Sequence, residues 1–380
     1  MVAQDLFAEV LQWLALATGE DARDDVVPTL DFPMPQTPPI AMQTTERRPA
    51  ERVCCSMGQA LPQRLSLSLD PATLWSKPHH YRFRDETNLA ERASDEGGTI
   101  GFVYTKRGGF IDVGHVRDNI DFTRYFTQSY RDVAGNPIHA GKRYLFDDTA
   151  SIFLNAAQLN PKPDLAMSAL IGAKLAFEYS VWHEANSYFT AEKYSAFAPE
   201  DLFSNAVGVL VGFTALFDAH TDFDVAADRA LKHVLELLEP VPQATTEAAT
   251  EYVKNHWWER SFGQGNTLRR HFMSSGAITP WLVSDLAIAG REAAAAELAK
   301  VIGKPRAASI QFATHYNGIF LEDRGRLLFK APAQQDDAFD DVVGLLSGAT
   351  EIRSIDLFAV SEKIRARAIA DDGPSIDQPA

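Results

Sequence analysis

Two short stretches of this chain gather side chains that can bind metal ions or move protons. The first is Leu175-Ala-Phe-Glu-Tyr-Ser-Val-Trp-His-Glu184, which sets Glu178, His183 and Glu184 in an otherwise apolar segment. The second is Gly108-Gly-Phe-Ile-Asp-Val-Gly-His-Val-Arg-Asp118, which brings Asp112, His115, Arg117 and Asp118 close together. Ionisable groups are seldom buried unless they are paired or coordinate something. Both stretches therefore invite two readings. In one they form a satisfied structural network, with Glu178 bonded to a buried Arg or Tyr, His183 bonded to a carbonyl and Glu184 in solvent. In the other, His and carboxylates face the core of a helical bundle and hold a metal ion, as in zinc and di-iron proteins. The zinc-protease pattern His-Glu-x-x-His is absent, because position 187 is Ser.

A helix starting near Gly114 would place His115 and Asp118 one turn apart on one face. They could ligate one ion, or form an Asp–His pair in which the acid sets the imidazole tautomer. Arg117 and Asp121, at i and i+4, read as a plain ion pair. The free N–H groups of that helix start would suit an anionic substrate. A third cluster, Arg52-Val-Cys-Cys-Ser-Met-Gly58, holds the two cysteines, Cys54 and Cys55. Their adjacency excludes a disulfide framework and any Cys-x-x-Cys motif. Either thiolate could be a nucleophile with His115 as its base, or the pair is buried and inert. Trp257-Trp258-Glu259 and Arg269-Arg270-His271 could line a pocket, with Arg270 holding a carboxylate or phosphate. They read equally well as surface aromatics and a solvated basic turn.

The elements that must position these residues follow from periodicity. Thr99–Thr105 and Phe110–Val113, around Gly108-Gly109, predict a β-hairpin, and His115–Tyr130 a helix after it. Lys142–Phe146 and Ser151–Leu154 predict strands. Helices are predicted over 164–189, 199–217, 223–239 and 245–257, with Pro199-Glu-Asp starting the second because acids suit the helix dipole. Residues 306–330 return to β, and 336–370 read as helix. Asp5–Leu16 has helical spacing, and prolines between 28 and 49 mark an extended arm. The domain expectation is thus an N-terminal helix and arm over 1–50 and one α+β domain over 51–380, divisible near 300. The α+β domain would be a mainly helical core with a small antiparallel sheet.

Composition narrows the partners. A net charge of -15 argues against nucleic acid and against anionic membrane surfaces, both of which need a basic face. No apolar run reaches the roughly 18 residues of a transmembrane span. The first residues carry acids and no Lys or Arg ahead of the apolar part, so they do not read as a signal peptide. The chain as written predicts a cytoplasmic location; a periplasmic one would follow if an export signal had been removed.

The chain resembles the bacterial family known as domain of unknown function 4056. The matching pieces are Arg52-Val-Cys-Cys, Gly101–Asp118, Phe177–Glu184, Phe197–Asn205 and Leu268–Phe272. The resemblance spans roughly residues 50 to 280. It brings no established activity and no residue roles, and it implies that related chains are often exported or lipid-anchored.

The residues themselves point to a metal-dependent hydrolase. His115, Asp118, Glu178 and His183 would ligate the metal, and Glu184 would be the base or would support the ligands from behind. Arg117 or Arg270 would hold an anionic group of a small-molecule or envelope-derived substrate. Zinc suits this donor set first, iron or manganese second. A cysteine hydrolase or transferase using Cys54 or Cys55 with His115 is the alternative enzyme, and a non-catalytic binding or scaffold protein the alternative without catalysis.

Overall fold

The computed structural model describes residues 102–134, 143–145, 150–154, 164–190, 193–218, 223–261, 264–273, 277–330 and 352–379. Cys54, Cys55 and the N-terminal helix and arm lie outside the described residues. The fold is α+β: helices dominate, and the sheets are small and antiparallel.

Strands β1 (Phe102–Thr105) and β2 (Gly109–Asp112) form the expected hairpin, in register Phe102 to Asp112. Gly109 sits at φ 65, and a Cβ there would fall 2.4 Å from the Trp281 carbonyl oxygen, so the turn needs glycine twice over. The hairpin delivers Asp112 as the N-cap of α1 (Val113–Val133). Its carboxylate accepts from Gly114 N at 2.7 Å and His115 N at 3.3 Å. Helix α2 (Leu165–Tyr188) is capped by Asp164, which accepts from Met167 N at 2.7 Å. Helix α3 (Asp201–Ala215) follows a short loop and is buried along its whole length.

Helix α1 packs against both α2 and α3. Glycines set how closely. A Cβ on Gly208 of α3 would lie 2.3 Å from Val116 O and 2.7 Å from Asn119 Cβ of α1, and one on Gly172 of α2 would lie 2.0 Å from Thr127 Oγ1. These three helices form the framework of the core. Helix α4 (Phe223–Leu238) packs on α3, and α5 (Gln243–Val253) on β1. Helix α5 stops four residues short of the predicted end, because Lys254 is extended and Asn255 is left-handed at φ 56.

Strands β3 (Arg143–Leu145) and β4 (Ala150–Leu154) belong to a four-stranded sheet with later segments of the chain. Strands β5 (Trp258–Ser261) and β6 (Gln264–Thr267) form a second hairpin. Helix α6 (Glu292–Ile302) was not anticipated: its alanines are strong helix formers but carry no apolar stripe, and only Leu298 and Ile302 are buried. In the predicted β region, β7 (His315–Tyr316) and β8 (Ile319–Phe320) make a minimal hairpin, and β9 (Gly325–Phe329) is a central strand. The predicted C-terminal helix is instead β10 (Ile352–Arg353) followed by α7 (Leu357–Asp372), within the part of that range that is described. The four-stranded sheet has the order β10-β9-β4-β3. Its β9 lies against α2, with the Trp182 ring stacked on Phe329 at 4.6 Å.

Candidate metal centre

The start of α1, the end of α2 and the start of α3 meet at one place. There His115, Glu184 and Asp201, all buried, each offer one ligand atom, and these atoms lie within 4.8 Å of one another. Asp201 is the member that sequence reasoning missed. An acid at a helix N-terminus is already accounted for by the dipole, so nothing at position 201 asked for a further role.

The loop between α2 and α3 holds the two acids. Phe197 N donates to Glu184 Oε2 at 2.8 Å, and Ala198 N donates to Asp201 Oδ2 at 2.7 Å. One oxygen of each carboxylate is thus tied to backbone, and the other oxygen of Asp201, Oδ1, faces His115. Phe197 is left-handed at φ 55, which costs a non-glycine residue on the order of 1 kcal/mol. That conformation is held by full burial, by the ring of Phe272 at 5.1 Å and by His271 N donating to Phe197 O at 2.9 Å.

Hydrogen bonding fixes the state of the histidine. Asn119 Nδ2 donates to the backbone oxygen of His115 at 3.0 Å, an atom that can only accept. The same Nδ2 therefore donates to Asn205 Oδ1 at 2.7 Å, while Ser180 Oγ donates to Asn119 Oδ1 at 2.6 Å. Asn205 must then present its oxygen to His115 Nδ1, 2.9 Å away, so Nδ1 carries a proton. In the neutral imidazole the lone pair is left on Nε2, which lies 3.2 Å from Asp201 Oδ1. A second proton on Nε2 makes this contact an ion pair with Asp201, and a metal ion bound by both atoms would satisfy it equally. Burial and the nearby charge of Asp201 push the Glu184 carboxyl up to about 8, against the pull of His183, His115 and the Phe197 N–H.

The other candidates fall elsewhere. Glu178, taken as a metal ligand from the sequence, is paired with Lys174 at 2.8 Å, and Lys174 also binds Glu322. Ser354 Oγ bonds Glu322 at 3.2 Å, so this cluster staples α2 to the β9–β10 side of the molecule. Asp118 accepts from Arg117 at 3.3 Å, and the face of α1 turned to the site is His115 and Asn119, at i+4, in place of His115 and Asp118. Arg117 is itself buried. His183 is half-buried beside Glu184 and acts on it electrostatically. Glu184 is buried where the structural reading had it in solvent. Arg270 is buried as well, so the basic turn is not solvated. Its Nη1 donates to Ala196 O, and it feels the charges of Asp201 and Glu184. Trp257 and Trp258 are core residues rather than surface aromatics.

The separate Lys174–Glu178–Glu322 cluster has its own pH signature. Burial, opposed by Lys174 and helped by the charge of Glu322, pushes the Glu178 carboxyl up to about 7. A carboxyl raised on folding contributes stability that is present below its unfolded value and lost as pH rises through the folded one. Glu178→Gln is expected to flatten the loss of stability between pH 4.5 and 7, by up to about 3 kcal/mol. It should leave metal content unchanged. Urea unfolding at pH 5 and pH 8, with elemental analysis, checks both; a loss of metal would return Glu178 to the site.

Fold and site together define an α+β protein with a buried His–carboxylate group that could hold a metal ion. The chain belongs to the family described as protein of unknown function DUF4056, which matches residues 47–280, a span that contains all three converging residues. Neither a curated protein nor a solved structure matches the chain. No helix among the described residues is long and apolar enough to cross a membrane.

Proposed function

We propose that this protein is a metal-dependent hydrolase whose divalent ion is held by His115 Nε2 and one oxygen each of Glu184 and Asp201. The observation that carries this reading is the 2.9 Å contact of His115 Nδ1 with Asn205 Oδ1, which leaves Nε2 to the two buried carboxylates. A ring nitrogen whose partner nitrogen donates to a side-chain carbonyl has the usual arrangement of a metal-ligating histidine. Two carboxylates and one imidazole fit zinc with an open fourth position, and iron or manganese as the second choice.

When bound, the ion would supply a water nucleophile near neutral pH. The chain's own residues do the positioning. Asn205 and Asn119 set the imidazole tautomer and plane, and Phe197 N and Ala198 N hold the outer carboxylate oxygens. Glu184, read from sequence as the base, is here a ligand. Both ring nitrogens of His115 face Asn205 and Asp201, which favours this reading over a cysteine hydrolase with His115 as base.

The test is elemental analysis of protein purified without chelator, beside His115→Gln and Asp201→Asn. About one equivalent of metal in the wild type and almost none in either folded variant is the expected result. A wild-type protein that folds normally and carries no metal, even after incubation with zinc, iron(II) or manganese(II), rules the reading out.

A further inference from the structure

Next to this centre lies a cavity of about 580 Å³, lined among others by Lys193, His256, Arg269, Arg270, Asp372 and Ile376. We propose that it is a binding site for a small molecule bearing an oxyanion, a carboxylate or a phosphate, recognised by Arg269, Arg270 and Lys193.

Among the described residues, three cations line the cavity against the single carboxylate of Asp372. The chain as a whole is strongly anionic, at -15, so this concentration of positive charge is local and opposes the general field. Arg270 is 4% exposed, and its Nε has no hydrogen-bond partner among the described residues. Its Nη1 is spent on Ala196 O, and its guanidinium lies 5.3 Å from the Tyr188 ring centre. Arg269 is in the same condition: Nη1 donates to Leu268 O at 3.2 Å and Nε is buried without a partner. Among the described residues, Lys193 has a long ion pair, 3.8 Å to Asp371, and a place over the Tyr188 ring at 4.8 Å.

Burying a guanidinium with a donor unmet is costly unless something completes its shell. A planar carboxylate or a phosphate does so, because the arginine fork presents paired donors at the matching spacing. The volume is that of a small-molecule site rather than of a bare ion. The backbone also fixes the wall: Arg270 N donates to Ile376 O at 2.6 Å, and Pro379 O accepts from Trp257 Nε1 at 2.8 Å, so the C-terminal segment closes one side.

The site does not require the metal. Arg270 links the two places electrostatically, since the charges of Asp201 and Glu184 act on it. With the metal bound, the anion would be the anchoring group of the hydrolase's substrate. The full chain, stripped with chelator and held at constant ionic strength with chloride, should be titrated calorimetrically with inorganic phosphate and, separately, with succinate. Saturable 1:1 binding of either probe is expected, weakened about tenfold or more in Arg269→Gln and in Lys193→Gln. Phosphate alone would assign a phosphate ligand, and succinate alone a carboxylate. No saturation by either probe, or equal affinity in wild type and both variants, overturns the proposal. Stripping the metal keeps this outcome separate from that of the metal reading.

Discussion

Glu184→Gln is expected to change stability with opposite signs depending on metal. In the metal-free protein, the Glu184 carboxyl is pushed up to about 8 by burial and by Asp201, against an ordinary value of 4.5. The folded state then holds a proton that the unfolded chain releases. Stability from this group is fully present below pH 4.5 and is lost as pH rises through 8, by about 5 kcal/mol at the upper bound. Glutamine keeps an oxygen for the Phe197 N–H and removes the charge, so the metal-free variant should be the more stable protein at pH 9 by several kcal/mol.

With metal the balance reverses. An ion held as proposed would bind the deprotonated carboxylate, so its stabilisation of the wild type should grow as pH rises, while Glu184→Gln should bind it far more weakly. Urea unfolding at pH 6 and pH 9, with chelator and with added zinc, gives the four numbers needed. Equal responses of wild type and variant to zinc would remove Glu184 from the ligand set. A metal-free wild type no less stable at pH 9 than the variant would show that the buried carboxyl is not strained by its surroundings.

Gly208→Val should cost more than any surface substitution and should take the proposed metal site with it. The atoms that a Cβ at 208 would meet are Val116 O, Val116 Cα and Asn119 Cβ, at 2.3 to 2.8 Å. None is the far end of a flexible side chain, so α1 and α3 have to separate. Overpacking of this kind costs on the order of 1–3 kcal/mol and sometimes more. Separation also pulls Asn119 from Asn205, a 2.7 Å bond, and so frees the imidazole that Asn205 holds. Gly212→Ala is the graded control, since its nearest neighbour is Thr123 Cβ at 2.9 Å. Thermal melts and metal content should rank wild type, Gly212→Ala and Gly208→Val in that order. A Gly208→Val protein with wild-type melting temperature would mean that the helices are not packed at this distance.

Much of the architecture was legible because it is local. The Gly108-Gly109 turn, the Asp112 cap and the apolar periods of α1 to α4 are read from neighbours a few residues apart, and those elements stand close to where periodicity puts them. Helix α6 escaped for the same reason in reverse: an alanine-rich segment with two buried residues has helix propensity but no period.

The sequence by itself determined that polar chemistry would gather on α1 and α2, and it singled out His115 and Glu184 on them. Only the tertiary structure decided which carboxylates they meet. Glu178 and Glu184 are six residues apart on one helix, yet Lys174, which also pairs with Glu322, claims the first, while Phe197 N and the approach of α3 bring the second to His115 and Asp201. Asp118 and Asp201 divide in the same way, one turned to Arg117 and the other to the imidazole. A period says which face of a helix a side chain is on, but a ligand set is a coincidence of three helix ends in space. Here that coincidence depends on glycines 208 and 212 letting two backbones approach, and on a strained loop residue at 197 aiming one carboxylate.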